Sequence, residues 1–298
     1  MKLAAFPKCF MDALVVHRTM SVFDWIAMAA NLGVDGLEMY DGFFESLDGA
    51  YLDRVRAALE QRRLAMPMLC VSPDFTQPDA AARRREVERE KQMIDVTARL
   101  GGGFCRVLSG QRRPEVSRQQ GIAWVVECIE SLLDSAGRKN VVLAIENHYK
   151  DNYWKHPEFA QKEDVFLEIV NRIPSPGFGV QYDPSNALVA GEDPLALLEK
   201  VKHRVVTMHA SDRHLKPGHT LEELRAAEDS VGYAAILTHG VVGKGMNDYP
   251  KVFAMLRGAG FDGWVSIEDG LNGLEEIRQS AEFLRRLMED SETHASKS

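Results

Sequence analysis

The stretch VVLAIENHYKD, residues 141–151, runs five apolar residues together and then sets down a glutamate, an amide and a histidine. A short, β-branched run of this kind reads as a strand buried on both faces. Its end nevertheless carries the groups most costly to bury. Working outward, seven more runs share its character: LAAF (3–6), GLEMY (36–40), MPMLCV (66–71), FCRVLS (104–109), FGVQYD (178–183), RVVTMHA (204–210) and WVSIED (264–269). Amphipathic segments separate them. SVFDWIAMAANLG (21–33) has Ser21 as N-cap and Gly33 past its end. Others follow at 48–62, 79–100 (closing on Gly101), 117–137, 162–173, 194–201 and 249–260, with a last helix at 274–288.

Strands alternating with helices require a parallel sheet covered on both faces. Eight repeats are the number that closes a (β/α)₈ barrel, whose usual size is about 250 residues plus insertions. An open doubly wound sheet would want a glycine-rich phosphate loop after the first strand, and PKCFMDA offers none. The predicted fold class is therefore α/β, a (β/α)₈ TIM barrel. It occupies residues 1–290 as one domain, with long loops at 151–161 and 211–247. The small polar tail SETHASKS, 291–298, reads as flexible.

In such a barrel the active site lies at the carboxyl ends of the strands, so polar residues that end buried strands belong to the mouth. Glu146 and His148, two residues apart, point to the same side of the fifth strand, and Asn147 points to the helices. The sixth strand ends in Asp183, the seventh in His209 and the eighth in Glu268. Taken singly, a glutamate at a strand end is ordinarily a solvated rim residue, and a histidine near a core is ordinarily just hydrogen-bonded. Four successive strands with the same feature argue for a site. Two glutamates, an aspartate and a histidine make a hard, mostly oxygen donor set suited to Mn²⁺, Mg²⁺ or Co²⁺, with Zn²⁺ also accommodated. Three crowded carboxylates without a cation would have to take up protons.

Composition excludes other classes. The 45% hydrophobic and 27% charged content of the 298 residues is that of a globular chain. A net charge of −8 argues against nucleic acid as partner and for a small neutral or polar substrate. Cys9, Cys70, Cys105 and Cys128 stand singly in apolar runs, without zinc-site spacing or disulfide density. The apolar run after Lys2 is too short for a signal peptide, and nothing reaches the ~18 apolar residues of a membrane span. A cytoplasmic location without membrane contact is expected.

The segments IENH, QYDPSN, TMHASD and GFDGWVSIEDG resemble the metal-binding strand ends of the sugar phosphate isomerase/epimerase superfamily, the xylose isomerase-like TIM barrels. That resemblance implies Glu146, Asp183, His209 and Glu268 as ligands of one divalent metal ion, Mn²⁺ first. Within the superfamily, ENHYKDNYWKHPEFAQK, HASDRHL and HGVVGKGMNDY look most like the catalytic α subunit of bacterial C-glycoside deglycosidases, which cleave the carbon–carbon bond of 3-oxo-C-glycosides. This closer likeness implies His148 as base, and a small β-rich partner subunit with higher oligomers. Ketose 3-epimerases differ in carrying a substrate-binding histidine where this chain has Asn186. Epimerisation with Glu146 and Glu268 as acid/base pair is the alternative.

The substrate side is expected to include Asn186, the aromatics of the 151–161 loop (Trp154 among them), and Asp212 and Arg213, which sit where substrate hydroxyls or a rim salt bridge would equally claim them. The same aromatics could instead simply pack the loop onto the barrel. The 211–247 loop carries a helical piece, TLEELRAAEDS, and ends in glycines Gly243 and Gly245; these before the eighth strand, with Gly270 and Gly273 after it, are where a phosphate could sit but for the acidic surroundings. A three-zinc DNA-repair barrel resembling endonuclease IV would need about twice as many ligands. Only Glu38 and Asp74 are on offer in the earlier strands. A non-catalytic barrel would be expected to have lost a ligand, and none of the four is missing.

Overall fold

The computed structural model describes residues 1–151, 153–226, 236–268 and 270–289. Its strands are β1 (Lys2–Ala5), β2 (Gly36–Leu37), β3 (Met39–Tyr40), β4 (Met68–Cys70), β5 (Phe104–Val107), β6 (Val142–Glu146), β7 (Phe178–Tyr182), β8 (Val205–Ala210), β9 (Arg213–Leu215), β10 (Leu237–His239) and β11 (Trp264–Ile267). Nine of them form one parallel sheet in the order β2-β1-β11-β8-β7-β6-β5-β4-β3. The two edge members, β2 and β3, are consecutive in sequence with Glu38 alone between them. One half pairs with β1 (Ala5 opposite Leu37) and the other with β4 (Met39 opposite Leu69), so the sheet closes on itself. The predicted second strand GLEMY is thus one barrel strand broken in its middle. Glu38 still donates its N–H to the Ala5 carbonyl at 3.0 Å, and its carboxylate turns inward.

The helices follow the sequence signals. Ser21 caps α1 (Val22–Ala29) in a reciprocal capping box with Asp24, and Asp48, Asp79 and Ser117 cap α2 (Gly49–Gln61), α3 (Ala80–Arg99) and α4 (Arg118–Arg138). Each satisfies backbone donors that the first turn leaves open. After β6 come α5 (Glu163–Arg172), α6 (Pro184–Val189), α7 (Pro194–Val201), α8 (Leu221–Ala226), α9 (Tyr249–Gly258) and α10 (Leu274–Glu289). The short α6 escapes the periodicity because it has fewer than two turns. The helical piece expected at 220–230 is described only as α8, and residues 227–230, Asp269 and the tail 291–298 lie outside the described residues. The apolar faces of these helices and the outward side chains of the strands form one continuous buried cluster, from Leu3 through Ile145 to Leu284. Among the described residues no helix is long and apolar enough to cross a membrane.

The long connection after β8 is not bare loop. β9 and β10 pair antiparallel, Thr238 opposite His214. Leu237 joins Tyr149, Val189 and Leu224 in a small apolar cluster of their own.

Candidate metal centre

Side chains from β6, β7, β8 and β11 converge where the strands end. Glu146, Asp183, His209 and Glu268 are all buried, and one ligand atom from each lies within 4.8 Å of the others. His209 Nδ1 stands 3.1 Å from Glu146 Oε1 and 3.6 Å from Glu268 Oε2. The opposite nitrogen, Nε2, lies 2.5 Å from Glu38 Oε1, and Cys70 Sγ donates to the same oxygen at 2.8 Å. A proton on Nε2 engaged by Glu38 would leave the Nδ1 lone pair to face the cluster once a cation is bound, which is the arrangement a ligating imidazole needs. The broken strand β2/β3 is what brings Glu38 to that position.

Each carboxylate is held in place by donors around the cluster. Glu146 Oε2 accepts from Arg106 Nη1 at 2.7 Å, and its Oε1 accepts from the Asn186 amide at 3.2 Å. Arg106, buried on β5, also donates to Val71 O and Ser72 Oγ. Glu268 Oε1 accepts from Lys8 Nζ at 3.0 Å. Asp183 caps α6 through Oδ1, taking the N–H groups of Ser185 (2.7 Å) and Asn186 (3.1 Å), and also accepts from the Ser211 hydroxyl. Asn147 does not face the helices as the alternation predicts. Its amide exchanges two hydrogen bonds with the backbone of Asp183, at 2.7 and 2.8 Å, standing in for one more rung of the β6–β7 ladder.

Charge in the cluster is shared unequally. Burial and then the neighbouring Glu268 and Glu146 push Asp183 up to about 7. For Glu268 the burial penalty is overcome by Lys8 and His209, which bring it down to about 2. Burial would likewise raise Glu146, yet His209 and Arg106 hold it far below the usual carboxylate range. His209, despite burial, is driven well above the ordinary imidazole range by Glu38, Glu146 and Glu268. A buried pocket that retains this much negative charge is built for a cation, and its donors fit a hard dication. Among the described residues the only other such grouping, Glu38–Cys70–His209, shares the same imidazole. Asp74 is engaged by Arg113 at 2.5 and 3.0 Å, so the multi-zinc ligand set of the DNA-repair reading is not assembled.

Glu38 is therefore expected to tune the metal without touching it. Glu38→Gln should weaken binding of Mn²⁺ about 10- to 100-fold, as loss of an outer carboxylate partner of a ligating histidine typically does. Calorimetric titration of metal into the stripped protein would measure it, and an unchanged dissociation constant would remove Glu38 from that role.

Beside the cluster opens a small cleft of about 50 Å³, lined by Phe6, Lys8, Met11, Tyr40, Arg106, His148, Lys150, Asp151, Tyr153 and Glu268. His148 and Glu146, from one strand end, reach the cleft and the cluster as their spacing requires. The expected substrate residues are placed differently. Asn186 spends its amide on Glu146, and Trp154 is half-buried outside the cleft lining. Asp212, fully buried, gathers the backbone N–H groups of Gly243 (2.9 Å), Gly245 (2.9 Å) and Asn247 (3.2 Å). A Cβ on Gly245 would fall 2.2 Å from that carboxylate, so the glycine is required there. The glycine nest that suggested a phosphate is filled by the chain's own Asp212. Arg213 lies on β9 and is also nearly buried. Tyr153, by contrast, is 53% exposed and lines the cleft. Tyr40, Lys8 and Lys150 were not singled out from the sequence. The signal for them was positional, since each stands at or just after a strand end.

Comparison with known proteins places this fold in a wider group. Residues 26–287 match the family model described as xylose isomerase-like TIM barrel. Over 87 residues the chain is 30% identical to an inosose dehydratase of Geobacillus thermodenitrificans, covering 29% of this chain and 28% of that relative. Among solved structures, a 3-keto-D-glucoside 4-epimerase from E. coli superposes with a TM-score of 0.69 at 15% identity, over 97% of this chain and 99% of that one. A xylose isomerase-like TIM barrel protein from Mycobacterium smegmatis in complex with magnesium gives 0.71 at 15% identity, over 96% of each chain.

Proposed function

The chain belongs to the xylose isomerase-like TIM barrel family, and from that footing we propose that it is a divalent-metal-dependent enzyme that removes a proton next to a keto-sugar carbonyl. The reaction we favour is cleavage of the C–C bond of 3-oxo-C-glycosides, with this chain as the catalytic α subunit of a larger assembly containing a small β-rich partner. The observation that carries the reading is the buried Glu146–Asp183–His209–Glu268 cluster opening beside a cleft whose wall includes a separate imidazole, His148. The compared proteins support the class by name: one is a dehydratase of an inosose, one an epimerase of a 3-keto-glucoside, and one binds magnesium. Epimerisation and such eliminations both begin with loss of a proton beside a ketone.

Glu146, Asp183, His209 and Glu268 would hold the ion, Mn²⁺ first and Mg²⁺, Co²⁺ or Zn²⁺ as substitutes. When bound, a dication supplies Lewis-acid polarisation of the substrate carbonyl. The chain's own groups do the rest. His148 takes the proton from the carbon between the ketone and the anomeric carbon. The freed electron pair forms the double bond to the anomeric carbon as the bond to the aglycone carbon breaks. The departing pair goes to that aglycone carbon, which takes up the proton held on His148, so an enone and the free aglycone result with no net redox change and the base is restored. Tyr40, Tyr153, Phe6 and Met11 offer the apolar faces that exclude water from this step. Return of the proton to the sugar carbon, with Glu146 and Glu268 as acid/base pair, gives epimerisation or isomerisation instead. The changed sugar contact at Asn186 makes it the second reading.

The test is direct. Mn²⁺-loaded protein, alone and with any small protein encoded beside it, is incubated with a 3-oxo-C-glucoside and free aglycone is followed by chromatography. Release of aglycone is expected. No release, but inversion at C2 or C3 of free ketoses, would return the protein to the epimerases.

A further inference from the structure

Glu158 lies in the 151–161 insertion at the barrel mouth, yet it is only 1% exposed. Its Oε1 accepts from the backbone N–H (2.7 Å) and hydroxyl (2.5 Å) of Ser109, at the end of the neighbouring strand. Among the described residues its Oε2 has no hydrogen-bond partner, and neither has Nδ1 of His148. These two buried polar atoms face each other at 3.5 Å. Buried polar groups left unpaired are rare and costly. A pair of them aimed at each other, just beyond bonding distance, is the form that catalytic hydrogen bonds often take before substrate tightens them.

The rest of the insertion fixes Glu158 in place. Gln111 Oε1 accepts the N–H groups of Lys155 (2.9 Å) and His156 (3.1 Å), and Arg112 N donates to Pro157 O at 2.8 Å. Glu158 N donates to Tyr149 O at 3.0 Å, Phe159 N to Gly110 O at 2.7 Å, and Ala160 N to Ser109 Oγ at 2.9 Å. The Phe159 ring fills the space over Gly121, where a Cβ would come within 2.3 Å of it. This half of the insertion is clamped to the β5 and β6 ends rather than hinged as a lid. Its aromatics divide accordingly, Phe159 packing the loop down while Tyr153 reaches the cleft.

We propose that Glu158 is a positioning residue for His148, accepting its Nδ1–H so that Nε2 is the atom presented to the cleft. This rests on the reading of His148 as the base. The bond to Glu158 sets the ring's rotation and decides which nitrogen carries the available lone pair. A purely structural Glu158 would hold the loop through Oε1 and Ser109 and leave the imidazole free to rotate.

The experiment uses the full chain loaded with diamagnetic Mg²⁺ and labelled with ¹⁵N-histidine. A downfield Nδ1–H resonance, protected from solvent exchange and assigned by its absence in His148→Gln, is expected in the wild type and should vanish in Glu158→Gln. Turnover in that variant should fall about 10- to 100-fold, with KM within about twofold and metal content unchanged. Should Glu158→Gln fold poorly, Glu158→Asp keeps the charge and draws the carboxylate back by one methylene. It too should lose the resonance. A resonance absent from the wild type, or one that survives in a folded Glu158 variant, overturns the proposal. The resonance requires no substrate, so a protein lacking the proposed activity but showing it would sink the lyase reading and leave Glu158 as the partner of His148.

Discussion

Replacing His148 with alanine is expected to lower turnover of a 3-oxo-C-glycoside about 10²- to 10⁴-fold, the range a positioned general base contributes, while the protein keeps its metal. Both halves of that statement come from geometry. His148 follows the candidate ligand Glu146 by two residues and lines the cleft, but its Nδ1 is turned to Glu158 and it is not one of the four clustered donors. Removing its ring should therefore leave the ion's coordination intact. In the epimerase reading the proton is carried by Glu146 and Glu268, and the same variant would keep ketose inversion within a few-fold of wild type. Kinetics on both substrate classes, with metal content measured by atomic emission, separate the two. A metal-replete His148→Ala that still releases aglycone at near the wild-type rate would dismiss His148 as base.

Much of this was readable in the chain before any coordinates. The eight strand positions follow from runs such as VVLAI and LAAF, because a barrel buries its strands on both faces and the apolar signal is largely unbroken. Glu146, Asp183, His209 and Glu268 stood out because ionisable residues ending buried strands contradict that signal. What stayed hidden sits where a polar residue lies inside an apolar run without ending it. Arg106 in FCRVLS and Glu38 in GLEMY, the latter considered only as a ligand for a multi-zinc site, are both buried and both hold the carboxylate–histidine cluster from behind. Periodicity assigns such residues to a face but not to a partner. Asp212 was misleading for the opposite reason, since a carboxylate followed at a distance by glycines can meet substrate or backbone alike. Here three loop N–H groups claim it. Glu158 was beyond reach, because its importance depends on a loop folding back across two strand ends.

The second large effect concerns the ion. Divalent metal at about 1,000 times its dissociation constant should stabilise the wild type by about 4 kcal/mol, on the order of 5–10 °C in Tm for a domain of this size. Asp183→Asn should abolish that response, yet leave the metal-stripped protein at least as stable as stripped wild type. The two signs have one cause. Without a cation, Asp183 is a buried carboxylate beside Glu268 and Glu146, which is why it is held up at about 7. Asparagine removes the like-charge repulsion. Its Oδ1 still accepts from the Ser185 and Asn186 N–H groups that cap α6, and its new N–H₂ can donate to the neighbouring carboxylates. Bound metal is the wild type's other means of relieving the same repulsion, and the amide is a poor substitute for the anionic ligand it replaces. Thermal melts of both proteins in chelator and in Mn²⁺ give all four numbers. If the variant gains as many degrees from Mn²⁺ as the wild type, Asp183 is not a ligand. If the stripped variant melts far below stripped wild type, Asp183 is needed by the fold for more than the acceptor its amide preserves.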